Sequence, residues 1–357
     1  MTNPNQPVAM PLPLAMTMGD PCGIGPEIIV KAFAQDPQAL QGTFVVGDVG
    51  VMRRAVQVIH ADAALWPVIE IEQVAEAFSV PPRCIPVLQV IPPMPLLPWG
   101  QVSAAAGKAA GDCVFWAARA ALRAQVSAVV TAPLHKEALS AAGEPYVRYP
   151  GHTELLQAEA AAFLQKAVSE VPVRMMLAND ELRTVLVSIH VSLRQAIEAV
   201  TFQNVLETIR ITHEALSATL GRSPRIAVAG LNPHAGEGGL FGREEMDIIV
   251  PAVTQALALG VNAVGPIAPD TVFMRARTPL GQAAEFDVVI AMYHDQGLIP
   301  IKYMGVEHGV NVTLGLPLVR TSPDHGTAFD IAGQGRADAS SMLEAICMAR
   351  ALAAHRA

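Results

Sequence analysis

Val288-Val289-Ile290-Ala291-Met292-Tyr293-His294 packs five apolar residues, three of them β-branched, directly ahead of a tyrosine and a histidine. A short run of this kind, apolar on both alternating faces, describes a strand buried in a parallel sheet and covered by helices on both sides. The chain repeats the arrangement. Val185-Leu186-Val187-Ser188-Ile189 precedes His190, and Ile226-Ala227-Val228-Ala229-Gly230-Leu231 comes shortly before His234. Further strands are expected over residues 14–18, 43–46 and 128–131. Between these runs lie Ala-rich segments with helical periodicity, over 26–35, 103–125, 153–165, 202–220, 243–259 and 339–354. Strands alternating with helices imply crossover connections, hence a doubly wound α/β fold with a mainly parallel central sheet.

Open α/β sheets bind their ligands at the carboxyl ends of the strands. A single histidine there is more often a hydrogen-bonded structural residue than a ligand. Three of them, His190, His234 and His294, in the same position on three strands point to a divalent-metal site. Neutral imidazole suits zinc, with cobalt or magnesium as alternatives, and three protein ligands leave a coordination position for a substrate oxygen. An open position implies catalysis.

The composition fits this reading. The 357 residues are 52% hydrophobic and 16% charged, which describes a chain with a large core, of one large or two smaller α/β units, with disorder confined to its ends. A formal net charge of −8 argues against nucleic acid as a partner and leaves small molecules. Cys22, Cys84, Cys113 and Cys347 show no paired spacing, so a disulfide framework is not expected and a reducing cytoplasm is. Residues 1–11 lack the pattern of a secretory leader, and no apolar run is long enough to span a membrane. The Pro-rich stretch 91–98 reads as an extended surface connection.

Several loops carry chemistry. Gly19-Asp20-Pro21-Cys22-Gly23-Ile24-Gly25-Pro26-Glu27 approaches a dinucleotide fingerprint but has Ile28 where the third small residue belongs. Only Asp48 could serve as the distal acid, and a tight strand-to-helix turn explains the glycines at least as well. Gly151-His152-Thr153-Glu154 opens a helix, with Thr153 as its expected cap, and offers backbone donors to an anion. Asn232-Pro233-His234-Ala235-Gly236-Glu237-Gly238-Gly239 is a site loop, and Tyr293-His294-Asp295-Gln296-Gly297 sets a carboxylate beside an imidazole. Lys302, Asn311 and Arg320 stand in otherwise apolar surroundings, where cations need an anionic partner such as a phosphate or carboxylate.

Taken together, Gly151-His152-Thr153-Glu154, residues 232–239, residues 293–297 and Asn311-Val312-Thr313-Leu314-Gly315-Leu316-Pro317 closely resemble the 4-hydroxythreonine-4-phosphate dehydrogenase family of pyridoxal phosphate biosynthesis. The resemblance runs from Gly19 to Asp338. It implies a fold like that of isocitrate and isopropylmalate dehydrogenases, with two α/β/α domains and the active-site cleft between them. The implied division is 1–135 plus 303–357 on the cofactor side, with 136–302 carrying metal, substrate and dimer contacts. It implies a homodimer whose metal site is shared, with His190, His234 and His294 as ligands and His294 coming from the second subunit. His152, Thr153, Lys302, Asn311 and Arg320 would contact the phosphorylated substrate, with Asp270, Asp295 and Lys302 as candidate catalytic groups.

The stretch Asp324-His325-Gly326-Thr327-Ala328-Phe329-Asp330-Ile331-Ala332-Gly333-Gln334-Gly335 looks like the nucleotide-binding loop of the same two dehydrogenases, with Phe329 in place of a proline. It implies NAD or NADP contacts at His325, Gly326, Thr327, Ala328 and Asp330. The implied reaction is oxidation of the C3 hydroxyl of 4-phosphooxy-L-threonine, then decarboxylation to 3-amino-2-oxopropyl phosphate. A longer segment around 160–172 bears on substrate choice. The alternatives are a related dehydrogenase for a carboxylated cyclohexadiene dihydrodiol or a four-carbon sugar-acid phosphate, or a non-catalytic protein that binds phosphorylated ligands.

Overall fold

In the computed structural model, which describes residues 11–60, 66–278, 283–305 and 308–354, the apolar runs become strands of one twelve-stranded sheet. In chain order the strands are β1 (Leu14–Thr17), β2 (Thr43–Gly47), β3 (Val68–Ile71), β4 (Ile85–Gln89), β5 (Ala128–Thr131), β6 (Arg174–Ala178), β7 (Arg183–Leu186), β8 (Ile226–Ala229), β9 (Ala263–Ile267), β10 (Val288–Ala291), β11 (Val310–Leu314) and β12 (Arg320–Pro323). Across the sheet they run β3-β4-β2-β1-β5-β12-β11-β6-β7-β10-β8-β9. Eight neighbouring pairs are parallel and three antiparallel, so the sheet is mainly parallel as expected.

The three antiparallel pairs, β12 with β11, β11 with β6, and β6 with β7, lie side by side at the centre. Following the pairings across them, β7, β10 and β8 run opposite to β1, β5 and β12. The sheet therefore consists of two parallel blocks of opposite sense, joined through β11 and β6. The first block takes its strands from the beginning of the chain and receives β12 late; the second comes from the middle.

Helices cover the sheet: α1 (Gly25–Gln35), α2 (Val49–Ile59), α3 (Ala104–Leu122), α4 (Lys136–Ala141), α5 (His152–Leu164), α6 (Leu193–Ala199), α7 (Phe202–Leu220), α8 (Val250–Ala258), α9 (Val272–Ala276), α10 (His294–Tyr303) and α11 (Ser340–Ala353). Pro26 sits in the first turn of α1, where its missing N–H costs nothing. The expected helix over 243–259 is interrupted. Residues Glu245–Ile249 form a π-turn, and α8 begins only with Val250, because Pro251 removes a donor from the α-ladder. β4 escaped the sequence reading because Pro86 lies within it, which ordinarily argues against an interior strand.

Asp48 is no distal acid for a dinucleotide. Its carboxylate caps α2 by accepting from Val51 N at 2.8 Å, and it also accepts from Met94 N at 3.1 Å and Gln89 Nε2 at 3.0 Å. The Pro-rich stretch is tied down by the same contact and by Arg54, which donates to the carbonyl of Leu97. Among the described residues no helix is long and apolar enough to cross a membrane. Residues 1–10 and 355–357, which hold most of the expected leader-free start and the expected disordered ends, lie outside them.

One carboxylate ties β8 to β10 within the second block. Asp287, with its side chain 9% exposed, bonds Arg222 at 2.8 Å and Arg225 at 2.9 Å, and its own N–H donates to Arg225 O. Burial alone would raise its pKa, but the hydrogen bonds from Arg222 and Arg225 outweigh burial and hold it well below the usual carboxylate range. Because the folded value is depressed, this stabilisation is complete above the unfolded carboxylate pKa of about 4 and is lost as pH falls towards the folded value. Asp287→Asn should lower stability by about 2 kcal/mol at pH 7 and flatten the acid limb of the stability curve. Denaturant titration at pH 7 and below pH 4 checks it; an unchanged midpoint at pH 7 would contradict it.

Candidate active site

A cavity of about 490 Å³ opens where the end of β5, the starts of α4 and α5, the strands β11 and β12, and the segment after β7 meet. The two blocks run in opposite senses, yet both bring a strand's carboxyl end to this cavity, Thr131 from β5 and His190 from beyond β7.

Arg320, the first residue of β12, is 4% exposed and lines the cavity. Its Nε and Nη2 donate to Thr131 Oγ1 at 3.1 and 2.7 Å, and its Nη1 donates to Thr313 Oγ1 at 3.2 Å. Among the described residues no carboxylate is within ion-pair distance of it. Burial draws its pKa down to about 10, against the opposing charge of Glu154, so it is cationic at neutral pH. A buried guanidinium held only by hydroxyls has its charge left to neutralise.

Beside it, α5 begins at His152. The helix cap is Gly151, not Thr153 as expected, and it supplies no side-chain acceptor, so the first-turn amides are not capped by a side chain. Gly151 is in extended backbone, which places His152 rather than Thr153 at the first helical position. His152 Nε2 is buried without a hydrogen-bond partner. Burial, then the charge of Arg320, hold this imidazole well below its ordinary pKa, so it is neutral.

Of the expected substrate contacts, the structure brings His152, Thr153, Asn311 and Arg320 to the cavity wall. Lys302 does not line it; its Nζ is paired with Asp324 Oδ2 at 2.6 Å, and Asp324 faces the cavity instead. Lys136, Thr131, Thr313 and Glu154 also line the wall and were not singled out from the sequence. For Lys136 a signal existed, since Pro133-Leu134-His135-Lys136 follows β5 as His190 follows β7.

The glycine-rich loop after β1 is a packing turn. Gly19 has φ +73°, and a Cβ there would lie 2.5 Å from Pro133 O. Gly23 lies against Thr327, and Ile24 N donates to Thr327 O at 3.0 Å, so this turn carries the loop that follows β12. The buried carboxylate of Glu27 accepts from the N–H groups of Gly333 and Gly335, pinning the far side of that loop. Of the residues expected to contact a dinucleotide, His325 and Gly326 face the cavity, Thr327 turns inward, and Asp330 is exposed. Ala328 takes a left-handed φ of +40°, and Phe329 stacks on His135 with ring centroids 4.6 Å apart.

The three histidines do not converge within one chain. The rings of His190 and His294 lie 5.6 Å apart, and His294 Nδ1 meets Asp295 Oδ1 at 2.7 Å. His234 stands elsewhere, in a cleft it lines with Asp270, Asp295 and Met274. Among the described residues no group of three metal-ligand side chains forms. The resemblance assigns His294 to a second subunit; within one chain the rings of His190 and His294 are neighbours, and His234 lines the cleft that also holds Asp295. Its loop is unusual, with His234, Ala235 and Glu237 all at positive φ, and it is held by Glu245, which accepts from Leu231 N and Asn232 N at 2.7 Å each.

Comparison with known proteins places these features in context. The profile of a family described as "Pyridoxal phosphate biosynthetic protein PdxA" matches residues 39–349. A 4-hydroxythreonine-4-phosphate dehydrogenase of Beijerinckia indica is 52% identical over 332 residues, 92% of each chain. A D-threonate 4-phosphate dehydrogenase of Salmonella typhimurium is 44% identical, covering 95% of this chain and 98% of that one. The crystal structure of a 4-hydroxythreonine-4-phosphate dehydrogenase from Klebsiella pneumoniae superposes with a TM-score of 0.81 at 41% identity, covering 96% of this chain and 99% of that one.

Proposed function

This chain belongs to the pyridoxal phosphate biosynthetic protein PdxA family, and on that premise we propose that it is an NAD(P)-dependent 4-hydroxythreonine-4-phosphate dehydrogenase of the cytoplasm. C3 of 4-phosphooxy-L-threonine gives its hydrogen as a hydride to the nicotinamide while its hydroxyl gives a proton to the protein, leaving a C3 carbonyl. The resulting β-keto acid loses CO₂, and protonation of the carbon left behind gives 3-amino-2-oxopropyl phosphate.

The observation that carries this reading is Arg320, a buried cation facing a cavity with only hydroxyl partners. A phosphate placed there meets a guanidinium and the start of α5, whose first-turn amides have no side-chain cap. His325 and Gly326, which also line the cavity, are where the nicotinamide side of NAD or NADP would approach. Asp270 and Asp295 are the candidates to accept the hydroxyl proton, and Lys302, the third candidate catalytic group, is held in place as a cation by Asp324.

The donor chemistry of His190, His234 and His294 suits a divalent ion such as zinc, but one chain supplies only a half-site, the paired rings of His190 and His294. We infer a homodimer in which the second copy brings His234 to that pair. When bound, the ion would polarise the C3 oxygen and stabilise the negative charge that decarboxylation leaves.

A panel of 4-phosphooxy-L-threonine, D-threonate 4-phosphate and a carboxylated cyclohexadiene dihydrodiol, each with NAD⁺ and NADP⁺, is the direct test. The reading expects the highest kcat/KM with the first. A higher value for either of the others, or phosphate-ligand binding with no reduction of nicotinamide, would replace it.

A further inference from the structure

On the reading that the loop 324–335 takes NAD or NADP, we propose that Glu27 is a positioning residue for the cofactor, its carboxylate holding that loop in the shape that accepts the dinucleotide. Glu27 stands in the first turn of α1 and is fully buried. Its two oxygens accept from the N–H groups of Gly333 and Gly335, the second at 2.9 Å. Among the described residues no cation closes an ion pair with it. A carboxylate taken out of water stays there only while its hydrogen bonds hold, so carboxylate and loop depend on each other.

That contact is one of a series. Gly23, Glu27 and Lys31 follow at intervals of four, the spacing that keeps residues on one side of a helix, and each meets the loop in the same order. A Cβ at Gly23 would lie 2.9 Å from Thr327 Cβ, Glu27 takes Gly333 and Gly335, and Lys31 Nζ donates to Ala337 O at 2.5 Å. Gly333 is at φ +80°, and a Cβ there would lie 2.5 Å from Trp99 Cδ1. Trp99 is itself covered by Arg54, whose guanidinium carbon is 3.7 Å from the ring centre. The loop is wedged between carboxylate and indole at a position where only glycine fits.

What the loop leaves free lies at its other end. His325 and Gly326 line the cavity, His325 Nε2 is buried without a partner, and a Cβ at Gly326 would meet nothing within 4 Å. Fixed at 333–337 and open at 325–326, the loop is ordered before a dinucleotide arrives, so the ordering cost is met in folding and not subtracted from affinity. Without the carboxylate that cost falls on binding. The phosphate end of the cavity is built on Arg320, Thr131 and Thr313 instead, so the two affinities should separate.

NAD⁺, NADP⁺ and inorganic phosphate are the probes, titrated calorimetrically into the full-length protein and its variants, with hydrogen exchange followed over 324–337. Glu27→Gln keeps the shape but sets an amide N–H against a glycine N–H. It should weaken the better-bound dinucleotide by about tenfold or more and speed exchange over the loop. Phosphate affinity, and kcat at saturating dinucleotide, should stay within about threefold of wild type. Glu27→Asp keeps a carboxylate one methylene short and should fall between the two. Lys31→Met leaves Glu27 in place and should cost the dinucleotide about threefold. Wild-type dinucleotide affinity in a folded Glu27→Gln protein, or an equal loss of phosphate affinity, overturns the proposal. If Glu27→Gln does not fold, wild-type loop exchange and dinucleotide affinity in Lys31→Met overturn it instead. Faster loop exchange in Glu27→Gln with wild-type dinucleotide affinity in both it and His325→Ala would place the dinucleotide elsewhere, so that the cofactor reading itself fails.

Discussion

Arg320→Ala is expected to raise the KM for phosphorylated substrate by about 10³-fold, the loss that follows when a buried, charge-assisted contact to an anion is removed. The reason lies in its surroundings. Thr131 and Thr313 hold the guanidinium without neutralising it, which leaves its charge for the anion that the proposed function places there. Arg320→Lys keeps the charge but not the planar fork that spans both threonines, and it should lose an intermediate factor. Because Arg320 also bridges β12 to β5 and β11, circular dichroism of both variants must show an intact fold. A KM within threefold of wild type in a folded Arg320→Ala protein would place the phosphate elsewhere.

The second large effect concerns the histidines. His190→Ala and His234→Ala should each lose bound metal and at least about 10³-fold in turnover, the scale of several kcal/mol of charge stabilisation. Mixing the two inactive variants then separates the ways of building the site. If His190 and His294 come from one copy and His234 from its partner, half the mixed dimers are heterodimers with one intact site of two, and about a quarter of the activity returns. Mixing His190→Ala with His294→Ala should return none, because those rings share a chain 5.6 Å apart. Recovery in the second mixture and not in the first would show that His294 is the ligand that crosses between subunits.

Much of this was legible in residue order. The runs before His190, His234 and His294 do form neighbouring strands β7, β8 and β10, since an apolar, β-branched run has few ways to be buried other than inside a covered sheet. Cations in apolar surroundings pointed to Arg320 for a similar reason. Lys302 looked equivalent on those terms; in the fold its ammonium meets Asp324, a partner 22 positions away that only folding brings to it. Asp48, the one residue in a position to serve as a distal acid, is engaged by Val51, Met94 and Gln89.

The amino-acid order by itself determined the α/β class, the strands whose ends carry the chemistry, and which residue types could serve anion and metal. Those properties depend on local periodicity and on the cost of burying charge, and both can be read along the chain. Tertiary structure alone decided that the sheet reverses sense through β11 and β6, that Lys136 shares a cavity with Arg320, and that one chain leaves the three histidines divided. Strand pairing and charge pairing are contacts between residues far apart in sequence, and their outcome is set by which partner each group reaches when the whole chain has packed.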